Sequence, residues 1–383
     1  MARIFVSDTI LEERLVIQAE RRDEGTGRPR HPEWKALSAL YRDSLAACGY
    51  DVAPVARPEI YQTAIARQIL GARQGDRHLA VKPIEHLRPF HGLPNLYVCD
   101  WAFPELSNTP YGGDPFADQV RVLRMADAVL CCTDFTRDAL RAAGVDRAMT
   151  MPPHVPSPTG AAPPRASRHG GRFLGLVAPG RARRQMQPML AGFIEAARQR
   201  AGLSLVIHVQ DDEPRLHDEV VACVAGMTRG VLADGVVDVR AGPIRARQIE
   251  GLFDDADFFL QLDVASGLCL PLVQAMLEGV PLVTSRHSGT ASFLPPEAAV
   301  TIETGEARYD GEDEPIARDL KLTCHPPLPG AVRDAVLAAA ALDGAARTQK
   351  AMLARSLAGQ RFGIDAFAAN LEQLTIRLAR NTP

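Results

Sequence analysis

Short, continuous apolar runs recur along the chain, and between them lie longer stretches whose apolar residues return every three or four positions. The runs read as strands buried on both faces, and the periodic stretches as amphipathic helices. Arg3 to Ser7 is a predicted strand, Trp34 to Cys48 a helix stopped by Gly49, and Asp51 to Val55 the next strand. Leu79 to Lys82 and Leu96 to Cys99 are short strands, and Phe116, Val120 and Leu123 share one helical face. Ala128 to Cys132 is a further strand, after which Thr133 caps a helix that ends at Gly144. The pattern breaks at 152–170, PPHVPSPTGAAPPRASRHG, which has six prolines and few large apolar residues and reads as an extended linker. It then resumes with strands at Phe173 to Val177, Leu203 to Val209 and Val236 to Arg240, each followed by a helix, the last of these from Ala246 to Phe253.

Alternating strands and helices with continuous apolar strands predict an α/β protein with two Rossmann-like, doubly wound parallel-sheet domains. The expected boundaries are 1–155 for the first domain, 156–170 for the linker, 171–355 for the second domain and 356–383 for a C-terminal helix. Phe362, Phe367, Leu371, Leu374 and Leu378 give that last helix an apolar face. Composition agrees: 383 residues with 46% apolar and 23% charged are enough for two cores. A net charge of −3 gives no case for nucleic acid as a partner. Lysine is rare among the 43 basic residues, with only Lys35, Lys82, Lys321 and Lys350, a bias that fits a GC-rich bacterial genome. Cys48, Cys99, Cys131, Cys132, Cys223, Cys269 and Cys324 form no C-x-x-C pair and read as reduced thiols of a cytoplasmic protein. No apolar window is long enough to predict a spanning helix.

The most informative segment is 258–294, FFLQLDVASGLCLPLVQAMLEGVPLVTSRHSGTASFL. A strand from Phe258 to Leu262 enters a loop with Ser266 and Gly267. A short helix follows from about Leu268 to Leu277, Gly279 stops it, and a second strand runs from Val280 to Thr284. Such a unit aims a helix N-terminus past the end of a parallel strand, where backbone N–H groups and the helix dipole suit an anion such as a diphosphate.

The segment also resembles the donor-binding signature of retaining glycosyltransferases of the GT-B fold, the group 1 or family 4 type, E-G-F-G-L-P-x-x-E-A-M-x-x-G-x-P-V-V. Gly267, Leu270, Pro271, Ala275, Met276, Gly279, Val280 and Pro281 match, while Ser266 and Gln274 stand where the family has its two acids. The resemblance implies two domains facing a cleft, the first taking the acceptor and the second a nucleotide-diphospho-sugar, with the last helix crossing back to the first domain. It implies that Gly267, Leu268, Cys269 and Leu270 meet the diphosphate, that Gln274 meets the nucleotide ribose and that Ser266 stands near the donor sugar. LGLVAPGRARRQMQPMLAGF, 174–193, resembles the family's strand, G-R loop and basic pair, which places Gly180 in the loop and Arg183 and Arg184 on the pair. Fixed cations there stabilise the charge that builds on the leaving phosphate. In R-A-G-P-I, 240–244, Gly242 and Ile244 are the expected contacts to the base.

In the first domain, two predicted strands end in the polar loops Lys82–Pro83–Ile84–Glu85–His86 and Asp100–Trp101. Lys82, Glu85, His86 and Trp101 are the acceptor-side expectations. Asp100 or Trp101 stands where many family members have a histidine, and Asp100 reads either as a general base on an acceptor hydroxyl, which would permit inversion, or as a loop-capping carboxylate. His86 and His91 lack a third ligand at useful spacing, so no metal is expected. Asp211 and Asp212 read as helix N-caps, and GTGRPR at 25–30 as a glycine-rich loop after the first strand and helix.

The function expected from this resemblance is transfer of a sugar from a nucleotide-diphospho-sugar to a glycan, glycolipid or related acceptor, in surface polysaccharide or glycoconjugate synthesis. Retention of configuration is favoured. The donor is a co-substrate, and no separate cofactor is implied. Lipid-linked acceptors imply peripheral contact with the inner face of a membrane. Loss of both motif acids leaves a second reading open, a non-catalytic nucleotide-sugar-binding subunit that partners an active transferase. A sugar-nucleotide epimerase is a third, for which the chain places acids and histidines poorly. The sequence leaves the oligomeric state open.

Overall fold

The computed structural model describes residues 2–8, 32–58, 70–109, 118–157, 171–177, 185–209, 214–230, 232–233, 235–241, 252–311, 316 and 320–380. The chain divides into two compact units, Met1–Val155 with Phe362–Pro383, and Pro156–Arg361. The boundary expected at 355/356 falls inside one continuous helix, Gly344–Phe362, and the division lies at that helix's end instead.

The first unit holds β1 (Arg3–Asp8), α1 (Pro32–Ala47), β2 (Asp51–Pro54), β3 (Arg77–Val81), β4 (Asn95–Cys99), α2 (Gln119–Arg124), β5 (Ala128–Cys131), α3 (Asp134–Ala142) and β6 (Ala148–Thr150). The strands form one sheet in the order β2-β1-β3-β4-β5-β6, every pair parallel. β4 and β5 are buried along their whole length, which is why they read as unbroken apolar runs. Thr133 caps α3 by accepting from the Thr136 amide at 3.1 Å. Sequence reasoning missed β6, a three-residue edge strand that depends on its neighbour β5 for its pairing.

The second unit holds β7 (Arg172–Val177), α4 (Met186–Gln199), β8 (Ser204–Val209), α5 (Pro214–Thr228), β9 (Val237–Ala241), β10 (Phe258–Gln261), α6 (Leu270–Glu278), β11 (Leu282–Ser285), α7 (Ser288–Ala291), β12 (Val300–Ile302), the pair β13 (Ala307–Arg308) and β14 (Thr323–Cys324), α8 (Ala331–Ala341) and α9 (Gly344–Phe362). Its sheet runs β12-β11-β10-β7-β8-β9, again all parallel. Phe173 is the packing anchor: it stacks on Phe258 of β10 at 4.9 Å and meets Phe193 of α4 edge-on at 5.8 Å. Gly192 lets α8 press close, since a β-carbon there would meet the Val332 Cβ at 2.5 Å. β11 begins at Leu282 rather than Val280, because Pro281 has no N–H to donate and offers only its carbonyl, to Phe259 at 2.9 Å. The expected helix from Ala246 to Phe253 lies mostly outside the described residues.

α10 (Ile364–Arg380) belongs to the first unit and buries Phe367, Leu371, Leu374 and Leu378. Phe367 meets Tyr41 of α1 edge-on at 6.2 Å. The Val155 amide donates to the Phe362 carbonyl at 2.9 Å, so the chain entering α10 is fixed where the first unit's chain leaves it.

A polar bridge crosses three strands of the first sheet. His78 of β3 lies between Ser7 of β1 and Asn95 of β4, at 2.9 Å from each. The Asn95 side-chain oxygen already accepts from the Phe90 amide at 2.7 Å, so His78 donates to it through Nδ1 and accepts from Ser7 through Nε2. Burial pushes the His78 pKa down to about 4. Between pH 6.5 and about 4 the unfolded chain therefore binds a proton that the folded chain does not. The stability due to this site is present above pH 6.5 and falls with pH below it, by about 1.4 kcal/mol per pH unit. Denaturant titrations of the first unit at pH 7 and pH 5 should show that loss, and His78→Gln should flatten it.

Candidate functional site

In the second sheet β8 and β9 continue from one side of β7, while β10, β11 and β12 continue from the other. The strand order thus reverses between β7 and β10. At such a point the connections leave toward opposite faces and open a crevice beyond the carboxyl ends of the strands. The connection after β7 includes Gly180, Arg183 and Arg184, which lie outside the described residues, as do Gly242 and Ile244 after β9. Its far end is described: the Gln185 amide donates to Leu262 just past β10 at 3.2 Å, which ties the two connections together.

The loop from Leu262 to Cys269 is held by its carbonyls. Asp263 O accepts from Ser285 Oγ at 2.9 Å and from His287 Nε2 at 2.7 Å. Val264 O accepts from the His325 amide at 2.7 Å, and Ser266 O from the Gly289 amide at 2.8 Å. The Ser266 hydroxyl, buried, lies 3.2 Å from that of Thr290. The motif position that carries an acid in the resembled family is therefore occupied here by a hydroxyl engaged with α7.

α6 opens from Cys269 without a side-chain cap and closes on Gly279, whose φ of 70° is the left-handed conformation that glycine adopts without strain. Pro271 has no N–H, and the Leu272 and Val273 amides donate to Cys269 O, so an anion at this helix start would meet the stretch from Gly267 to Leu270. Gly267 and Leu268 are buried, whereas Cys269 and Leu270 are half-buried. Within α6 only Leu270, Gln274 and Glu278 reach the surface. Their i, i+4 spacing makes one accessible stripe, with Gln274 one turn inside the helix start.

α7 and its neighbours are the part of the site that sequence reasoning missed. His287 is buried and its ring stacks on His325 at 4.9 Å. Burial pushes its pKa down to about 4, so at neutral pH it is uncharged and donates through Nε2 to Asp263 O. Ser288 has φ 47°, a left-handed conformation that costs a side-chain-bearing residue on the order of 1 kcal/mol. Only the run of small polar residues in SRHSGT hinted at a special turn, and it carries no apolar period.

In the first unit, β3 and β4 pair in parallel, so the residues after each lie at the same end of the sheet. Lys82 follows β3 and is completely buried. Glu85 and His86 stand on an exposed turn, Ile84–His86, 4.0 Å apart. Asp100 is half-buried directly after β4. Burial holds the Cys99 and Cys132 thiols well above the ordinary range, and the Asp100 charge adds to it. Trp101 is buried: its Nε1 donates to Glu105 O at 2.8 Å and its ring meets Phe103 at 5.4 Å, so the ring is a packing element. Asp211, Asp212 and 25–30 lie outside the described residues. Among the described residues, no cluster of three or more His, Cys, Asp or Glu could hold a metal, and no helix is long and apolar enough to cross a membrane.

Solved structures share this architecture. An E. coli trehalose-6-phosphate structure bound with UDP-2-fluoro glucose superposes with a TM-score of 0.63 at 10% identity, covering 98% of this chain and 99% of that one. The fold is GT-B. The α,α-trehalose-phosphate synthase (UDP-forming) of Burkholderia vietnamiensis gives 0.62 at 12% identity, over 99% of both chains. A TarM mutant from S. aureus, in complex with fondaparinux, α-GlcNAc-glycerol and UDP, gives 0.56 at 11% identity over 79% of this chain. This chain spans 55% of the length of TarM. No protein-family model and no curated protein matches the chain.

Gly289 is the contact on which the loop rests. A β-carbon there would collide with the Gly267 carbonyl and stand 2.8 Å from Ser266 O. Gly289→Ala should destabilise the second unit by about 1–3 kcal/mol, as overpacking does. Gly359→Ala, in α9 with open space around it, should instead stabilise by about 0.5–1 kcal/mol. Denaturant unfolding of the two variants beside the parent checks the pair.

Proposed function

We propose that this protein is a glycosyltransferase that takes a sugar from a nucleotide-diphospho-sugar. One observation carries the reading: at the strand-order reversal of the second sheet, a carbonyl-anchored loop delivers the uncapped start of α6, with Gln274 on its accessible stripe. The matched GT-B structures support it, since those named above include ones with UDP or a UDP-sugar bound.

In this proposal the Gly267–Leu270 backbone meets the diphosphate, Gln274 hydrogen-bonds a ribose hydroxyl, and Ser266 lies near the transferred sugar. Gly242 and Ile244 would hold the base. Gly180 would let the loop bearing Arg183 and Arg184 approach the ligand, and the arginine pair would offset charge on the departing phosphate. That pair supplies the positive charge a metal would bring, so transfer is proposed to be metal-independent, and retention of configuration is proposed from the resemblance to a retaining family. Glu85 and His86 are proposed to meet the acceptor, with the buried Lys82 and Trp101 supporting the same loops from behind. The acceptor is proposed to be a glycan, glycolipid or other lipid-linked molecule at the inner face of a membrane, with no nucleic acid partner.

The first test is a thermal-shift panel of UDP, GDP, ADP, CMP and dTDP and their sugar conjugates. A ligand at about 100 times its Kd adds about 2.7 kcal/mol to the unit that binds it, a shift of several degrees. One nucleotide should stand out. Arg184→Ala should lower turnover by about 100-fold or more, and EDTA should leave turnover unchanged. Asp100→Asn decides whether Asp100 is a base: full activity removes it from the mechanism, and loss of transfer with intact donor binding argues for inversion. The absence of both motif acids favours one second reading, a donor-binding partner subunit, which binding without turnover under every acceptor would support. A flat panel would remove the donor site altogether.

A further inference from the structure

Two buried oxygens at the end of β10 have no hydrogen-bond partner among the described residues: Gln261 Oε1 and Asp263 Oδ1. Gln261 is 2% exposed and Asp263 7%. Phe258, Leu260 and Leu262 face the main core of the second unit. By alternation Phe259, Gln261 and Asp263 face the other way, and Phe259 meets Phe253 there at 5.5 Å. The two polar side chains therefore follow one another along a single face of the strand that borders the order reversal, and they run into the loop that leads to α6.

Buried acceptors in folded proteins are almost always satisfied, and an unpartnered one is costly. A polar residue at the end of an otherwise apolar strand and another two positions on, at the start of the loop, point to a donor supplied by a ligand. Asp263 itself is well anchored, with its carbonyl held by Ser285 and His287, so its carboxylate is presented from a fixed backbone. Both unpartnered atoms are acceptors, which excludes an anion and suits hydroxyl groups. The chain also lacks acids at 266 and 274, so Asp263 supplies a carboxylate a few residues upstream on the same connection.

We propose that Gln261 and Asp263 are ligand-binding residues whose unpartnered oxygens accept hydrogen bonds from hydroxyls of the bound nucleotide-sugar. This rests on the function proposed above. The hydroxyls belong either to the transferred sugar or to the ribose, and one experiment separates the two. Full-length wild type, Gln261→Leu and Asp263→Asn are titrated calorimetrically with UDP, UDP-glucose, GDP and GDP-mannose, and their ligand-free unfolding midpoints are compared.

Asp263→Asn should unfold no earlier than wild type without ligand, because it replaces a buried carboxylate, one oxygen of which no described residue satisfies, with a neutral amide. Its affinity should fall at least tenfold, the scale of a hydrogen bond to a charged group. Loss on the sugar nucleotide alone assigns the contact to the transferred sugar, and equal loss on the nucleoside diphosphate assigns it to the ribose. Gln261→Leu should move affinity in the same direction by a smaller factor. Wild-type binding that both variants reproduce would overturn the inference, leaving the two oxygens to water. Wild type that binds none of the four, nor ADP, CMP, dTDP or their sugar conjugates, would overturn the proposed function, and this inference with it.

Discussion

The pairing of β10 with β7 is the constraint on which the second unit's chemistry depends. Phe173 stacked on Phe258 fixes that pairing from inside the core, where neither ring can be moved without opening a cavity. A parallel strand cannot be reached by a hairpin, so each connection must cross back over the sheet and every strand ends at the same edge. Setting the fourth strand of the unit beside its first forces the two connections apart at that edge. The opening there is thus a consequence of strand order, and the residues that line it are whichever ones follow Val177 and Gln261. The chemistry is written in loops because the strands, buried on both faces, are committed to packing.

Much of this was legible in the sequence, for a physical reason. Strands covered on both faces tolerate few polar residues, so AVLC of β5 and SLVIHV of β8 announce themselves as apolar runs. Gly279 was legible as a helix stop because the left-handed turn it makes suits little else. What could not be read were elements whose existence depends on distant partners. β12 is three residues long with an exposed threonine at its centre, and its pairing with β11 makes it a strand. α7 has no apolar period and is fixed by Ser266 and Asp263 from another connection. The motif match located the loop, yet it gave no sign of Ser285, His287, Gly289 or His325, which hold it.

Those hidden contacts change what the substituted motif means. Serine at 266 is not simply a shortened acid, because its hydroxyl meets Thr290 and its carbonyl meets Gly289. An acid there would lose that pairing unless α7 moved. Likewise Gln274 stands on the accessible stripe of α6 and keeps hydrogen-bonding capacity without charge. Ser266 and Gln274 therefore offer neutral hydrogen-bonding groups on this connection, and Asp263 is the carboxylate beside them.

Such a loop is costly to fold. It and its neighbours include a serine in a left-handed conformation, a histidine kept neutral by burial and two acceptors without partners among the described residues. Each of these lowers stability, and each is the kind of local defect that packing elsewhere must offset. A segment with only a structural role would gain from glycine at 288 and from an apolar residue at 261. Their absence from the connections around this strand end, where three such features meet, is the physical argument for the ligand role proposed for this edge of the second sheet.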